Sequence, residues 1–161
     1  MRTLAQPRFR ALERTEIDAL LARNHVGRIA YGRGDRIDVE PIHYVYADGW
    51  IYGRTSRGAK YATVGETWLG WWPVAFEVDE VEDLLRWRSV VVHGGFYVVD
   101  PEPDREVHGR AVELLRTLLP EAFADDDPVP FRDVVFRIAV QEATGREALA
   151  PESPAVTEDG P

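Results

Sequence analysis

The chain has 161 residues, a formal net charge of −9 at pH 7, 45% hydrophobic residues and no cysteine. These values predict one globular domain, and they exclude disulfides, thiolate metal sites, cysteine nucleophiles and, by charge, a nucleic acid as partner. Because no apolar run approaches the roughly 20 residues of a membrane helix and the N-terminus lacks a secretory signal, we expect a cytoplasmic protein with no membrane partner.

The first third of the chain predicts a short helix followed by two strands. Thr15 is predicted as the helix N-cap, and apolar residues then recur at helical spacing as far as Arg23. β-Branched and aromatic residues predict strands over residues 26–31 and 37–46, joined by a glycine-containing hairpin turn. Pro41 lies inside the second strand and cannot donate a ladder hydrogen bond, so we expect a sheet edge or a bulge there.

A third predicted strand, residues 50–54, runs into a loop that carries hydroxyl groups and cations, and then into a short helix. Side-chain cations and the backbone N–H groups at a helix start are groups that bind phosphate. In an acidic chain, positive charge concentrated in this way favours one small phosphorylated ligand over a polyanion. The side chains and the glycine of this predicted phosphate cradle are Arg54, Thr55, Ser56, Arg57, Gly58 and Lys60.

The rest of the chain predicts more strands and an amphipathic helix between Asp104 and Pro120. Gly94 and Gly95 interrupt one strand, where two missing side chains permit a bend or the close approach of another backbone, as at a barrel corner. About six strands joined mostly as hairpins favour an antiparallel barrel over a doubly wound parallel sheet. The three further strands cover residues 73–79, 88–99 and 134–141.

The composition changes near residue 150. Residues 150–161 contain Pro, Glu, Ser, Asp and Gly with little to bury, so we predict a single domain over residues 1–149 and a disordered tail over 150–161. The four histidines do not recur at zinc-type spacing, so we predict no metal centre.

Five short segments between residues 25 and 94 carry a family signal. They are residues 25–30, 39–44, 54–60, 74–79 and 87–92, the last followed by Gly94. In order and spacing they resemble the pyridoxamine 5'-phosphate oxidase-like family of FMN-binding split barrels, in its flavin reductase or nitroreductase-like branch. The resemblance implies a mainly β fold, a six-stranded antiparallel Greek-key split barrel with flanking helices. It also implies a homodimer that binds FMN in grooves between identical subunits.

Carried over position by position, the resemblance implies that Arg54, Thr55, Ala59 and Lys60 bind the FMN phosphate. Chemistry supports this assignment independently, because a phosphate dianion needs charge-assisted donors and Lys60 lies near the start of a short helix. From spacing alone, the same cations could equally form a solvated loop.

The resemblance also implies where the isoalloxazine ring of FMN lies. Backbone groups of an irregular strand beside Pro41 can bind the pyrimidine edge of the ring. We expect His43, on a mostly apolar strand face, to be a packed side chain and not a catalyst. The residues implied near the ring are Pro41, Ile42, His43 and Tyr44, with Trp87 and Ser89 from another strand and Arg146 from the partner subunit.

The chain departs from the family pattern at three places. It has no tryptophan after Val140, whereas the oxidases that give the family its name carry tryptophan in a C-terminal substrate-binding segment, which argues against that reaction. Arg54 stands near the position where the nitroimidazole-reductase-like branch usually has a histidine, which disfavours that substrate too. We expect the cluster of Trp68, Trp71 and Trp72 to belong to the core or the dimer interface.

Three functions remain open. The first is an FMN-dependent oxidoreductase that transfers hydride or electrons between a reduced nicotinamide, NAD(P)H, and a small organic acceptor. The second is a protein that binds or senses a flavin or haem without turnover. The third is the same fold with a deazaflavin coenzyme, whose acidic tail would use additional basic residues such as Arg57 and Arg88.

Overall fold

A computed structural model of the chain describes residues 6–65 and 70–151. About half of these residues form strands of one antiparallel sheet, and three helices pack against it. The predicted mainly β, antiparallel fold is therefore confirmed. Trp68 and residues 152–161 of the predicted tail lie outside the described residues.

The described part of the sheet consists of nine strand segments. All six predicted strands are present, but the second is divided at Tyr44 into β3 and β4, and two further strands, β1 and β9, were not predicted. The strands are β1 Arg8–Ala11, β2 Val26–Arg33, β3 Arg36–His43, β4 Val45–Ala47, β5 Trp50–Thr55, β6 Trp71–Asp83, β7 Arg86–Val98, β8 Val134–Ala139 and β9 Glu142–Leu149.

The helices are α1 Arg14–Arg23, α2 Ala59–Gly65 and α3 Arg105–Arg116. Thr15 was wrong as the N-cap of α1: the cap is Glu13, whose backbone N–H donates to the Glu16 carboxylate at 2.9 Å in a capping box. Over residues 6–65 and 70–151, no helix combines the length and the apolar character that crossing a bilayer requires.

The strand order explains the shape of the barrel. Along the sheet it runs β3-β2-β6-β7-β8-β5-β4, with β9 paired to both β7 and β1. β3 forms one end of this path and β5 lies next to the other end, which is β4. β3 and β5 approach each other, but in the described sheet no ladder joins them. The barrel is therefore split between β3 and β5. Its interior is filled by large side chains with no exposure, among them Tyr44, Phe76, Phe96 and Phe136.

Gly94 marks the point where β7 changes partner. Residues before it pair with β9, from Trp87 to His93, and residues after it pair with β8, from Phe96 to Val98. A Cβ at Gly94 would lie 1.7 Å from the carbonyl oxygen of Ala139, so only glycine fits. The predicted close approach of another backbone at this corner is confirmed.

Candidate functional site

A cavity of about 460 Å³ lies in the split, between the end of β3 and the end of β5. One wall comes from these two strands and from the first turn of α2. The opposite wall is largely apolar and comes from the end of α3 and the segment after it, where Leu115, Leu119 and Val129 lie. Six of the residues predicted to bind FMN line this cavity, namely Pro41, Ile42, His43, Arg54, Thr55 and Lys60.

Lys60 is the buried cation of the cavity. Only 6% of its side chain is exposed, and its Nζ lies 2.8 Å from Oε2 of Glu40 and 5.8 Å from the centre of the Phe136 ring. A buried ammonium is costly without an anionic partner, and the ring face adds a cation–π interaction. Because an ammonium carries three N–H donors, Lys60 keeps donors for a ligand phosphate beyond the one directed at Glu40.

Glu40 and Tyr31 complete this group. The Tyr31 hydroxyl donates to Oε1 of Glu40 at 2.9 Å. Burial is the largest single influence and opposes ionisation of Glu40, but the hydrogen bond and charge of Lys60 and the hydrogen bond from Tyr31 together outweigh it and hold the pKa of that carboxyl below its usual range. Burial, and then the hydrogen bond to Glu40, raises the pKa of Tyr31 to about 12. At neutral pH Glu40 is therefore a carboxylate and Tyr31 a neutral phenol.

Arg54 is held by a second acid. Its Nη1 and Nη2 donate to Oδ2 and Oδ1 of Asp127 at 2.6 and 2.9 Å, and its guanidinium lies 5.0 Å from the centre of the Phe123 ring. Asp127 also accepts the backbone N–H groups of Phe123 and Val129. The Arg54 hydrogen bonds, with those from the backbone, hold the pKa of Asp127 far below its usual range. This pair neutralises Arg54 and ties the segment after α3 to β5.

The remaining cradle residues differ in position. Thr55 and Ser56, which carry hydroxyl groups, line the cavity. Ala59 is exposed at the start of α2 and does not line the cavity. Arg57 is exposed, and its Nε lies 3.7 Å from Asp133, a loose surface pair.

The outer edge of β3 presents backbone groups to the split. The Tyr44 N–H donates to the His25 carbonyl oxygen at 3.0 Å, and hydrogen-bonded and non-bonded pairs alternate along an antiparallel ladder. By this alternation Ile42 is bonded to β2, whereas the N–H and C=O groups of His43 and the C=O group of Pro41 face the unpaired edge. Pro41 therefore costs the ladder no hydrogen bond, as expected for an edge position.

Two residues expected near the ring have surroundings that differ from the prediction. Tyr44 is fully buried, its hydroxyl donates to the Leu21 carbonyl oxygen at 2.7 Å, and its backbone groups are engaged with His25. Its side chain therefore belongs to the core. His43 is exposed and lines the cavity, so the expectation of a packed histidine was wrong.

Trp87, Ser89 and Arg146 lie outside the cavity, on the outward face of the sheet. Ser89 and Arg146 are directly opposite each other on β7 and β9. Trp87 lies two residues before Ser89 and lines a separate cleft near the tip of the β6–β7 hairpin. Alternation along the ladders puts Pro41 and His43 on the same outward face.

This outward sheet face is charged at its centre and apolar at its margins. Arg28 donates to Glu77 at 3.2 Å, and the Ser89 hydroxyl donates to the other Glu77 oxygen at 3.2 Å. Burial, and then the charge of Asp79, raises the pKa of Glu77. Around these groups the face exposes large apolar side chains, namely Phe9, Val26, Ile37, Val39 and Val81.

The tryptophan cluster is only partly described. Trp72 packs against the core, and its indole N–H donates to the Gly32 carbonyl oxygen at 3.1 Å. Trp71 lies beside Tyr97, with ring centres 6.5 Å apart. Trp72 therefore agrees with a packing role, while Trp68 lies outside the described residues.

Sequence reasoning missed three charged residues of the cavity region. Glu40 lies on the same face of β3 as Ile42, so strand alternation could have directed it inward. Asp127 ends an acidic run that is typical of a solvated loop, and Arg132 follows in the same irregular segment, so neither had a local signal. Within residues 6–65 and 70–151 no group of three or more His, Asp or Glu side chains could hold a metal ion.

Comparison with known proteins gives consistent results. An uncharacterised Mycobacterium tuberculosis protein, Rv0080, is 32% identical over 94 residues, which cover 56% of this chain and 62% of that protein. A FAD-binding protein from Mesorhizobium loti has a similar structure, with a TM-score of 0.71 at 24% identity over 90% of this chain and 100% of the other. The FAD-binding protein from Mycobacterium smegmatis is also similar, with a TM-score of 0.60 at 26% identity. The match covers 86% of this chain and 98% of that protein.

The family model of pyridoxamine 5'-phosphate oxidase matches residues 13–147, which is most of the chain. The matched region runs from the cap of α1 into β9 and contains the cavity and the outward sheet face except for Phe9. The predicted resemblance is therefore confirmed, and the chain belongs to the pyridoxamine 5'-phosphate oxidase family of split-barrel proteins.

Proposed function

We propose that the protein is a cytoplasmic FMN-dependent oxidoreductase that transfers hydride or electrons between a reduced nicotinamide and a small organic acceptor. The observation that carries the proposal is the cavity in the split, where Lys60 and Thr55 lie together with the unpaired edge of β3. Its volume of about 460 Å³ falls in the range of small-molecule sites. Reduced nicotinamides are available in the cytoplasm, and we propose that compartment on this ground.

The two ends of the cavity suit the two ends of FMN. Lys60, with the hydroxyl groups of Thr55 and Ser56, would hold the phosphate through charge-assisted hydrogen bonds. The outward backbone groups of Pro41 and His43 would orient the pyrimidine edge of the ring. A bound flavin supplies the hydride and electron chemistry, and the role of these residues is to position it and exclude water.

We also propose that two copies of the chain associate through the outward sheet face. The support is the group of exposed apolar side chains on that face, since large exposed apolar patches mark interaction surfaces. Pro41 and His43 belong to both this face and the cavity, so an isologous contact would bring the partner subunit close to the ring. Ser89 and Arg146 of one copy would then lie near the site of the other.

FAD is the second candidate cofactor, because two of the similar proteins bind it. The apolar wall formed by Leu115, Leu119 and Val129 could pack against an adenine. A deazaflavin is less well supported. Arg88, one of the two arginines expected to assist its acidic tail, is paired with the buried Glu147 at 2.7 Å and does not line the cavity.

Titration of the purified protein with FMN, FAD and riboflavin, followed by flavin fluorescence, tests cofactor binding. Lys60→Ala should raise the Kd of FMN by about 10- to 100-fold through the loss of a charge-assisted hydrogen bond, with little change for riboflavin. Arg36→Ala is the matched control, because Arg36 is an exposed cation on β3 outside the cavity. The proposed site would be refuted if Lys60→Ala and Arg36→Ala weakened FMN binding equally, or if the wild type bound no flavin.

Turnover is tested separately. Under anaerobic conditions, NADH or NADPH should bleach the flavin absorption of the loaded protein, and addition of an acceptor such as a quinone should restore it. A loaded protein whose flavin stays oxidised with both nicotinamides would be a binding or sensing protein and not an oxidoreductase.

A further inference from the structure

Each cation of the phosphate cradle faces an acid that lies far away in the sequence. The sequence predicted a concentration of positive charge, but in the folded chain that charge is largely balanced. The three pairs differ in burial and so in how easily a ligand could replace the acid. The pairs are Arg54 with Asp127 at 2.6 Å, Arg57 with Asp133 at 3.7 Å, and Lys60 with Glu40 at 2.8 Å.

In the first two pairs a ligand has little opportunity to replace the acid or to gain from the cation. Asp127 has 3% of its side chain exposed and accepts two backbone N–H groups besides the Arg54 guanidinium, so it is a fixed partner. Arg57 and Asp133 are both more than half exposed, so water screens their contact and any contact that Arg57 makes with a ligand.

The third pair is asymmetric. The side chain of Lys60 is 6% exposed, whereas that of Glu40 is 42% exposed and lines the cavity. The buried ammonium needs an anion, and Glu40 provides it from within the chain. Tyr31 holds the other carboxylate oxygen, which keeps Glu40 directed at Lys60. Among the three acids, Glu40 alone is both close to a buried cation and in contact with the space that a ligand would occupy.

We propose that Glu40 is a specificity-determining residue, the internal counter-anion of Lys60 that limits how strongly the cavity prefers a phosphorylated ligand. The inference rests on the proposed function, since it concerns the same cavity. A phosphate dianion that contacts Lys60 must share it with a carboxylate 2.8 Å away, and the two anions repel each other. A ligand with the same ring system but no phosphate meets no such repulsion. Glu40 therefore narrows the difference in affinity between FMN and riboflavin.

Glu40→Gln removes the charge, keeps the shape, and leaves an amide oxygen that can accept the Tyr31 hydrogen bond. We expect this variant to bind FMN about tenfold more tightly than the wild type and to bind riboflavin equally well. Glu40→Asp keeps the charge and should retain a ratio of the two dissociation constants close to that of the wild type. Titration of each variant with FMN and with riboflavin, at one fixed ionic strength, measures that ratio.

Asp38→Asn is the matched control. Asp38 lies on β3, on the same face as Glu40, but its carboxylate is 2.8 Å from Arg36 and does not line the cavity. Asp38→Asn removes the same charge from the same strand as Glu40→Gln does. We therefore expect its ratio of the FMN and riboflavin dissociation constants to equal that of the wild type. Unchanged riboflavin binding by Glu40→Gln will show that the variant is folded.

A Glu40→Gln variant with an unchanged ratio would overturn this inference, because the carboxylate would then have no influence on the phosphate. Weaker FMN binding would overturn it too, since Glu40 would be orienting Lys60 and not competing for it. Wild-type protein that binds neither flavin would overturn both this inference and the proposed function. Wild-type binding with an unaltered ratio in the variant would overturn the inference alone.

Discussion

Substitution of Gly94 by alanine tests the close approach of β7 to the backbone of Ala139. The new Cβ would lie 1.7 Å from the carbonyl oxygen of Ala139 and 2.9 Å from the carbonyl carbon. A close carbon–oxygen contact is about 3.3 Å, so the two backbones would have to separate by roughly 1.5 Å. Both segments belong to paired strands, so no side-chain rotation can relieve the clash. We expect Gly94→Ala to lower the free energy of unfolding by about 3 kcal/mol, which is the upper end of the range for overpacked cores.

Gly109→Ala provides the matched control for the same chemical change. Gly109 lies inside α3, and a Cβ there would meet nothing within 4 Å. Alanine has the better helix propensity, so this variant should be more stable than the wild type by about 0.5–1 kcal/mol. The two glycine-to-alanine changes are therefore expected to have opposite signs.

Urea unfolding followed by tryptophan fluorescence measures both free energies, and thermal unfolding gives an independent check. At about 2–4 °C per kcal/mol for a chain of this size, Gly94→Ala should lower Tm by roughly 10 °C. If Gly94→Ala unfolds at the same urea concentration as the wild type, the described approach of β7 to Ala139 is wrong.

Three other predictions follow from separate contacts. Val39→Asp, on the outward sheet face, should shift the proposed homodimer to monomer in sedimentation experiments without lowering the free energy of unfolding of the monomer, and an unchanged mass would contradict that interface. Tyr44→Phe should cost about 1–3 kcal/mol in urea unfolding, because it leaves the Leu21 carbonyl near the end of α1 buried without its 2.7 Å donor. The hydrogen bond from Arg23 lowers the pKa of Glu80 to about 2, whereas in the unfolded chain that pKa is near 4.5. The contribution of ionised Glu80 to the free energy of unfolding is therefore complete above about pH 4.5 and is lost as the pH falls towards 2. Glu80→Gln should therefore flatten the loss of stability between about pH 4.5 and 2, and acid-unfolding curves that coincide with those of the wild type would refute this linkage.

The strands with strong local patterns could be predicted, and the weakly patterned ones could not. β2, β5 and β8 carry β-branched and aromatic residues in short runs between turns, so propensity alone identified them. β9 reads as Glu-Ala-Thr-Gly-Arg-Glu-Ala-Leu, which has no such pattern. It is a strand because it pairs with β7 and β1, and because Gly145 lets Leu12 pack directly against it. Pairing of this kind is a tertiary effect that local propensity does not contain.

The faces of β3 illustrate a different limit. Alternation correctly separated two faces of the strand, but it did not tell which one is buried. The more apolar face, with Ile37 and Val39, is exposed in the single chain, while the face with Glu40 and Ile42 turns inward. The face that we propose as the dimer interface is as apolar as a core face, so composition alone did not tell the two faces apart.

The sequence alone determined the family, the antiparallel barrel and the place of the basic segment after β5, because each depends on residue types at fixed spacing along the chain. Only the tertiary structure decided the electrostatics of the site. Arg54 meets Asp127 across 73 residues of sequence, and Lys60 meets Glu40 from a different strand. Electrostatic energy depends on distance in space and on burial, neither of which is contained in local sequence, so a segment that is strongly basic in the sequence is nearly balanced in the fold.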